Sequence, residues 1–190
     1  MSMNDFSAAD VVLINTVKDN IKFKLTEFNM TVMKRGKHLT QSYFVSGGCI
    51  ASLLQGTTPN DWDIYFYSKE LAEPIIDLFT NDPSYKNEVA VFEEKYRDVT
   101  DNAGKPLITE NAITLKNGLQ LITKHYGTPD EVRSTFDFVH CKPYYDTLND
   151  KLYISREQFD CCKNKFLKMT KSDVAQHRID KFQRRGYLLL

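Results

Sequence analysis

The sequence predicts a mixed α+β fold: a mixed sheet packed on one side by helices, with a C-terminal helical appendage. Three patterns predict it. Leu13, Val17, Ile21, Leu25 and Phe28 recur at helical intervals, the mark of a helix with one buried face. Residues 43–45 and 61–66 are short, aromatic-rich runs separated by glycines and a proline, which suits strands. Residues 112–115 and 119–122 flank Asn117-Gly118, the strongest short-range hairpin signal.

In chain order, residues 1–6 are a lead-in, and Ser7 with Asp10 has the form of a helix cap. The helix that follows is expected to reach about Met30 and to cover the sheet. Lys34, Arg35, Gly36 and Lys37 make a solvated turn before the strand at 43–45. Ser46-Gly47-Gly48 then turns the chain into one or two helical turns through Leu54, which Gly56 and Pro59 end. After the strand at 61–66, residues 68–80 place Leu71, Ile75, Leu78 and Phe79 on one side of a helix, with Pro74 early enough to be tolerated. Residues 81–84 break it. Between 85 and 106 the pattern is weak: Val89, Val91 and Tyr96 suit a strand, and 101–104 a turn.

Beyond the hairpin, Thr128 caps a brief helix with Pro129 at its first position and Asp130 and Glu131 in its first turn, ending near Ser134. Residues 136–140 read as a strand and 151–154 as the last one. Ser155 caps a helix through Asn164, with Phe159, Cys162 and Phe166 facing inward. Thr170 or Ser172 opens a final helix with Ala175, Ile179 and Phe182 on one stripe and Arg178, Lys181 and Arg185 beside it, a basic surface that His177 and Arg184 widen.

The 190 residues suffice for one domain, or one with a small appendage. Its 25 basic and 25 acidic residues balance, so no global field draws it to nucleic acid or an anionic membrane; attraction must come from a local patch. No signal peptide and no membrane-spanning apolar run is evident. Cys49, Cys141, Cys161 and Cys162 lack zinc-site or redox-pair spacing, which fits a reduced, cytoplasmic protein. His38, His125, His140 and His177 have no metal-ligand spacing, and no Ser-His-Asp or Cys-His order stands out. No feature marks an oligomeric state.

The chemistry concentrates in residues 43–66. Alternate strand residues share a face, so Asp61 and Asp63 project side by side while Trp62 and Ile64 turn away. Adjacent acids repel unless a cation joins them, and hard divalent cations take carboxylate oxygens while keeping places for water and phosphate. The Gly47-Gly48 pair lets backbone approach a ligand closely, and the helix start after it presents N–H groups to an anion. Metal on one side and amides on the other make a triphosphate site. The competing reading is that a Gly-Gly turn and an acid-x-acid strand, each common alone, are merely structural.

This stretch resembles the signature of the polymerase-β-like nucleotidyltransferases, and within it the head domain of tRNA nucleotidyltransferases and bacterial poly(A) polymerases. Gly47, Gly48, Ile50, Leu54, Gly56, Pro59, Asp61, Asp63 and Ile64 match the pattern GGxVRDxLLGxxPxDxDI. Ala51 and Ser52 replace its Arg-Asp pair, and Gln55 its second Leu, which leaves the metal pair in place but departs from the CCA-adding subfamily's active-site wall. The resemblance implies a nucleotidyltransferase-fold catalytic domain over residues 1–155, with helices of 156–190 packed on it, in a minimal single-domain form of the phage or virus type. It implies two Mg²⁺ or Mn²⁺ ions, an NTP substrate and a third metal-binding carboxylate from a later strand, the place that Asp137 fits. The catalytic set is then Asp61, Asp63 and Asp137, with Ser46, Gly47 and Gly48 on the β- and γ-phosphates. A second role open to Asp137 is a structural acid capping a turn or pairing with Arg133.

Further nucleotide contacts are expected from His140 and Lys142, which follow Asp137 on the same run, and from Arg178, Lys181 and Arg185, whose helix could hold a triphosphate or an RNA backbone. Lys124 and His125 end the hairpin strand, where a surface location is favoured over a position facing the nucleotide, and Asp146 and Asp160 are read as surface residues. The expected reaction moves NMP from an NTP to a hydroxyl acceptor, an RNA 3′ end being favoured over a protein or small molecule. The alternative is a non-catalytic nucleotide- or partner-binding module on the same fold.

Overall fold

The structure, a computed structural model, describes residues 5–92 and 104–190. Helix α1 (Ala8–Met33) starts at a reciprocal Ser7/Asp10 capping box and buries Ile14, Val17, Ile21, Leu25, Phe28 and Val32. It outruns the expected end at Met30 because Val32 continues the buried stripe. A 3₁₀ turn, Lys37–Gln41, leads into β1 (Tyr43–Ser46). Next come α2 (Gly48–Leu54), β2 (Trp62–Phe66) and α3 (Lys69–Thr80), the last capped by the Ser68 side chain and containing Pro74.

The hairpin strands are β3 (Ala112–Thr114) and β4 (Leu119–Tyr126), with Asn117 Oδ1 accepting from the Leu119 amide and Gly118 at φ +86°. Val89 and Val91 do reach this edge, but as isolated bridges to Leu115 and Pro106. Tyr96 and positions 101–103 lie outside the described residues. Helix α4 (Pro129–Ser134) has a Thr128/Glu131 capping box, and β5 (Tyr144–Asp146) and β6 (Lys151–Tyr153) complete the sheet.

The six strands lie in the order β3-β4-β2-β1-β5-β6. Only the β2/β4 pair is parallel, so the sheet is mixed. Strand alternation divides its residues between two faces. Tyr43, Val45, Ile64 and Phe66 enter the main core with the apolar stripes of α1 and α3, while Phe44 and Tyr65 join Val132 of α4 in a smaller cluster on the other face. Asp146 is not the surface residue expected. It is buried at the end of β5, accepting from the Tyr67 hydroxyl at 2.7 Å and the Asn149 side chain at 2.6 Å. Asp160 pairs with Arg156 at 2.8 Å.

Helix α5 (Arg156–Lys163) opens with a Ser155/Gln158 capping box and sends Phe159 and Cys162 into the main core. Phe166 does not extend its inner face. It starts β7 (Phe166–Leu167), which pairs in parallel with β8 (Leu188–Leu189). Between them, α6 (Gln176–Gln183) begins later than expected, and Ala175 is its cap rather than part of its stripe. Ile179 and Phe182 pack with Phe138, Leu167 and Tyr187 in a second core.

Gln55, the odd residue of the motif, ties these parts together. Its side-chain amide donates to the Cys162 carbonyl at 2.7 Å and to the Tyr187 hydroxyl at 2.8 Å.

Candidate active site

At the end of β1, Ser46 pairs across the sheet with Asp63, so the turn after Ser46 must pass directly by that carboxylate. Gly47 takes φ +97°, and a Cβ there would sit 2.7 Å from Asp63 Oδ2. Both facts require glycine: the conformation is one side chains rarely adopt, and the contact leaves no room for a carbon. A Cβ on Gly48 would meet nothing within 4 Å.

Asp61, Asp63, Gly47 and Gly48 line a cavity of about 300 Å³. Arg178 and Lys181 of α6 and Arg185 just beyond it line the same cavity, with Tyr65, Phe136 and Phe138 among its aromatic walls. The structure thus brings the expected acids and the expected cations to one place from elements far apart in sequence. Ser52 stands in the wall where the resembled pattern has aspartate.

Asp137 lies in this cavity too, but not on a regular strand. Phe138 makes one antiparallel bridge to Met169, and the chain then tightens into a 3₁₀ turn over Val139–Cys141. The strand expected at 136–140 is therefore a short stretch sewn to residues 168–170: the Thr170 amide donates to the Asp137 carbonyl and the Val139 amide to the Lys168 carbonyl, both at 2.9 Å. The Asp137 carboxylate is buried, with one oxygen 2.9 Å from Lys171 Nζ and the other 2.6 Å from an Arg178 nitrogen. Its expected structural partner, Arg133, pairs with Asp130 instead. Among the described residues, no three His, Cys, Asp or Glu side chains cluster closely enough to hold a metal. The Asp137 carboxylate thus lines the same cavity as Asp61 and Asp63 while engaged in a double ion pair.

Other expected contacts fall elsewhere. The Ser46 hydroxyl is buried and donates to the carbonyls of Cys141 (3.2 Å) and Pro143 (2.8 Å), and the Gly47 amide donates to the Cys141 carbonyl at 3.1 Å. Both groups clamp β1 to the 141–143 turn rather than presenting donors to phosphate. Lys142 is outside the cavity wall, its carbonyl accepting from Arg133.

His140 is fully buried, its ring 4.5 Å from those of both Phe182 and Tyr187, with no hydrogen-bond partner on either nitrogen. Burial, helped by the Arg185 charge, pushes its pKa down to about 3. Three residues beyond Asp137, an odd offset that strand alternation already turns to the other face, His140 is carried by the 3₁₀ turn against Phe182 and Tyr187. His125, for which the surface is the favoured of two readings, takes the other and lines the cavity. The β2/β4 register shifts between Ile64 and Phe66, which re-aims the end of β4.

Cys49 and Cys141 also line the cavity. Burial, then the Asp63 charge, pushes the Cys49 thiol far up and Cys141 up to about 12, so both stay protonated near neutrality.

A glycine elbow against an acid-x-acid strand on this mixed sheet defines the nucleotidyltransferase fold, and solved structures agree. The Thermotoga maritima CCA-adding enzyme complexed with tRNA superposes with a TM-score of 0.58 over 93% of this chain at 16% identity. The Bacillus stearothermophilus CCA-adding enzyme in complex with CTP gives 0.52 over 88% at 12% identity. At such identities the likeness is one of fold, and this chain covers only 42% and 41% of those enzymes. No curated protein matches the sequence. The chain belongs to the Gabija anti-defense 2 (Gad2) family, whose pattern matches residues 19–165.

Proposed function

We infer that the protein is a metal-dependent nucleotidyltransferase, moving NMP from an NTP to a hydroxyl acceptor and releasing pyrophosphate. The observation that carries this is that Asp61 and Asp63 line one cavity together with Arg178, Lys181 and Arg185. The acids suit a magnesium or manganese ion: both are hard oxygen donors, and the glycine elbow leaves Asp63 Oδ2 in a cradle that any side chain would fill. With both Asp137 oxygens held by cations, Asp61 and Asp63 are the carboxylates we assign to metal. When bound, it would activate the acceptor hydroxyl and neutralise charge on the leaving group.

The chain's own residues then position and balance charge. The cations of residues 156–190 receive the triphosphate, opposite the acids of residues 1–155. The hydroxyl oxygen forms a bond to the α-phosphorus, the bond to pyrophosphate breaks, and the hydroxyl proton passes to water. Most of the rate comes from alignment and electrostatics. An RNA 3′ end is the favoured acceptor, in keeping with the basic rim and the tRNA-bound fold relative. Pyrophosphate release from each NTP with Mg²⁺, with and without RNA, tests this: release that requires RNA supports it, and none under any condition overturns it.

Membership of an anti-defense family favours a second reading, a non-catalytic module that binds a nucleotide or a partner protein in this cavity. Nucleotide binding without pyrophosphate release is its signature.

A further inference from the structure

We propose that Asp137 is a positioning residue: it anchors the C-terminal cationic wall of the cavity through Arg178 and Lys171. This rests on the reading of the cavity as a metal and triphosphate site. The geometry is asymmetric. Asp137's side chain is 7% exposed, whereas those of Lys171 and Arg178 are 40% and 54% exposed. A buried carboxylate is stable only when paired, and here both oxygens are paired, one to each cation.

The backbone repeats the link. Thr170 donates its amide to the Asp137 carbonyl and its hydroxyl to the Phe136 carbonyl, and Lys171 Nζ also donates to the Thr135 carbonyl at 3.0 Å. Residues 135–139 and 168–171 thus form one seam. Asp137 extends that seam by a side-chain contact to α6, whose Arg178 and Lys181 face the acids.

Charge accounting gives the anchor its purpose. Residues 156–190 hold nine Lys and Arg against four Asp and Glu, and residues 1–155 hold the opposite excess. Such a cationic segment needs fixing in front of the acids before a polyanion arrives, or ligand binding must bear the ordering cost. A guanidinium has five N–H donors, so an Arg178 held by Asp137 through one nitrogen keeps donors for phosphate. A carboxylate in this role sets the direction of a cation; it need not touch metal.

Titrations of Mn²⁺ and of ATP on the full chain, with Asp61→Asn as the metal-loss comparator, separate the two roles. Asp137→Asn is expected to keep Mn²⁺ affinity within about twofold while ATP affinity falls about tenfold, matching Arg178→Ala. The double variant should be no weaker than Arg178→Ala alone, since the two residues act as one unit. In ligand-free protein, Asp137→Asn should speed amide hydrogen exchange across α6; Lys171→Ala and Arg178→Ala report the same seam should Asp137→Asn fail to fold. Loss of Mn²⁺ as severe as in Asp61→Asn, additive ATP losses, or unchanged exchange across α6 in these variants overturns the proposal. Wild-type protein that binds neither Mn²⁺ nor ATP overturns the reading of the site instead, and the exchange measurement still decides what Asp137 holds.

Discussion

Gly47 and Asp63 are fitted to each other: the glycine's missing Cβ is the space that the carboxylate oxygen Oδ2 occupies, at 2.7 Å from where that carbon would lie. Gly47 directly follows β1, whose last residue, Ser46, lies opposite Asp63 of the adjacent antiparallel β2. Gly47→Ala should therefore displace the acid and strain the backbone, costing about 1–3 kcal/mol, and weaken Mn²⁺ binding. Gly48→Ala, with open space around its site, should leave the melting temperature nearly unchanged. Equal effects in calorimetry and Mn²⁺ titration would remove the assigned relationship.

The acids themselves are expected to matter to chemistry more than to folding. Asp61→Asn or Asp63→Asn should reduce pyrophosphate release by about a hundredfold or more, as loss of several kcal/mol of charge stabilisation implies. Urea unfolding should shift little, because both side chains face the cavity rather than the main core. Unaltered turnover in either variant would overturn the assignment of the two acids to metal, whereas nucleotide binding with no turnover even in the parent would favour the binding-module reading.

Much of this site was legible in the sequence because its signals are local. A turn that needs glycine, the Ser7, Thr128 and Ser155 caps and an Asn-Gly hairpin each act over a few residues, and each appears where expected, whereas the cap expected at Thr170 or Ser172 does not. What escaped depends on distant partners. Asp137 looked like an unpaired strand acid because Lys171 and Arg178 meet it only through the fold. His125 lines the cavity because a register shift between β2 and β4 breaks the strand alternation locally, whereas His140, an odd number of residues from Asp137, turns to the other face and packs on Phe182 and Tyr187. Two-residue strands such as β7 and β8 carry too few residues to show a period.

His140 makes stability depend on pH. Its folded pKa, about 3, lies below its ordinary value of 6.5, so the unfolded chain binds the proton more readily. Stability from this group is therefore complete above about pH 6.5 and declines as pH falls toward 3, by at most about 1.4 kcal/mol per unit. Asp10, lowered to about 2 mainly by the Ser7 hydroxyl and further by Lys163 and Arg156, acts below the ordinary carboxylate range, outside the upper part of this window. His140→Phe should flatten the stability profile between pH 7.5 and 5.5 in urea titrations. An unchanged slope would mean that another group sets it.

Gln55 stands where the resembled pattern has leucine, and its contacts explain why leucine would not serve here. The side-chain amide joins the Cys162 carbonyl at the end of α5 to the Tyr187 hydroxyl beside β8. A leucine would leave the buried Tyr187 hydroxyl without this donor and the Cys162 carbonyl with only backbone donation, from Lys165, a loss of about 1–3 kcal/mol for the orphaned group. The added apolar surface recovers only part of that, since the side chain is already half-buried. Gln55→Leu should thus lower stability by roughly 2 kcal/mol and speed hydrogen exchange in residues 187–190 before it affects α1. Tyr187→Phe removes one of the two bonds and should give about half the loss; a Gln55→Leu protein as stable as the parent would show that the C-terminal strand is held by its apolar contacts alone.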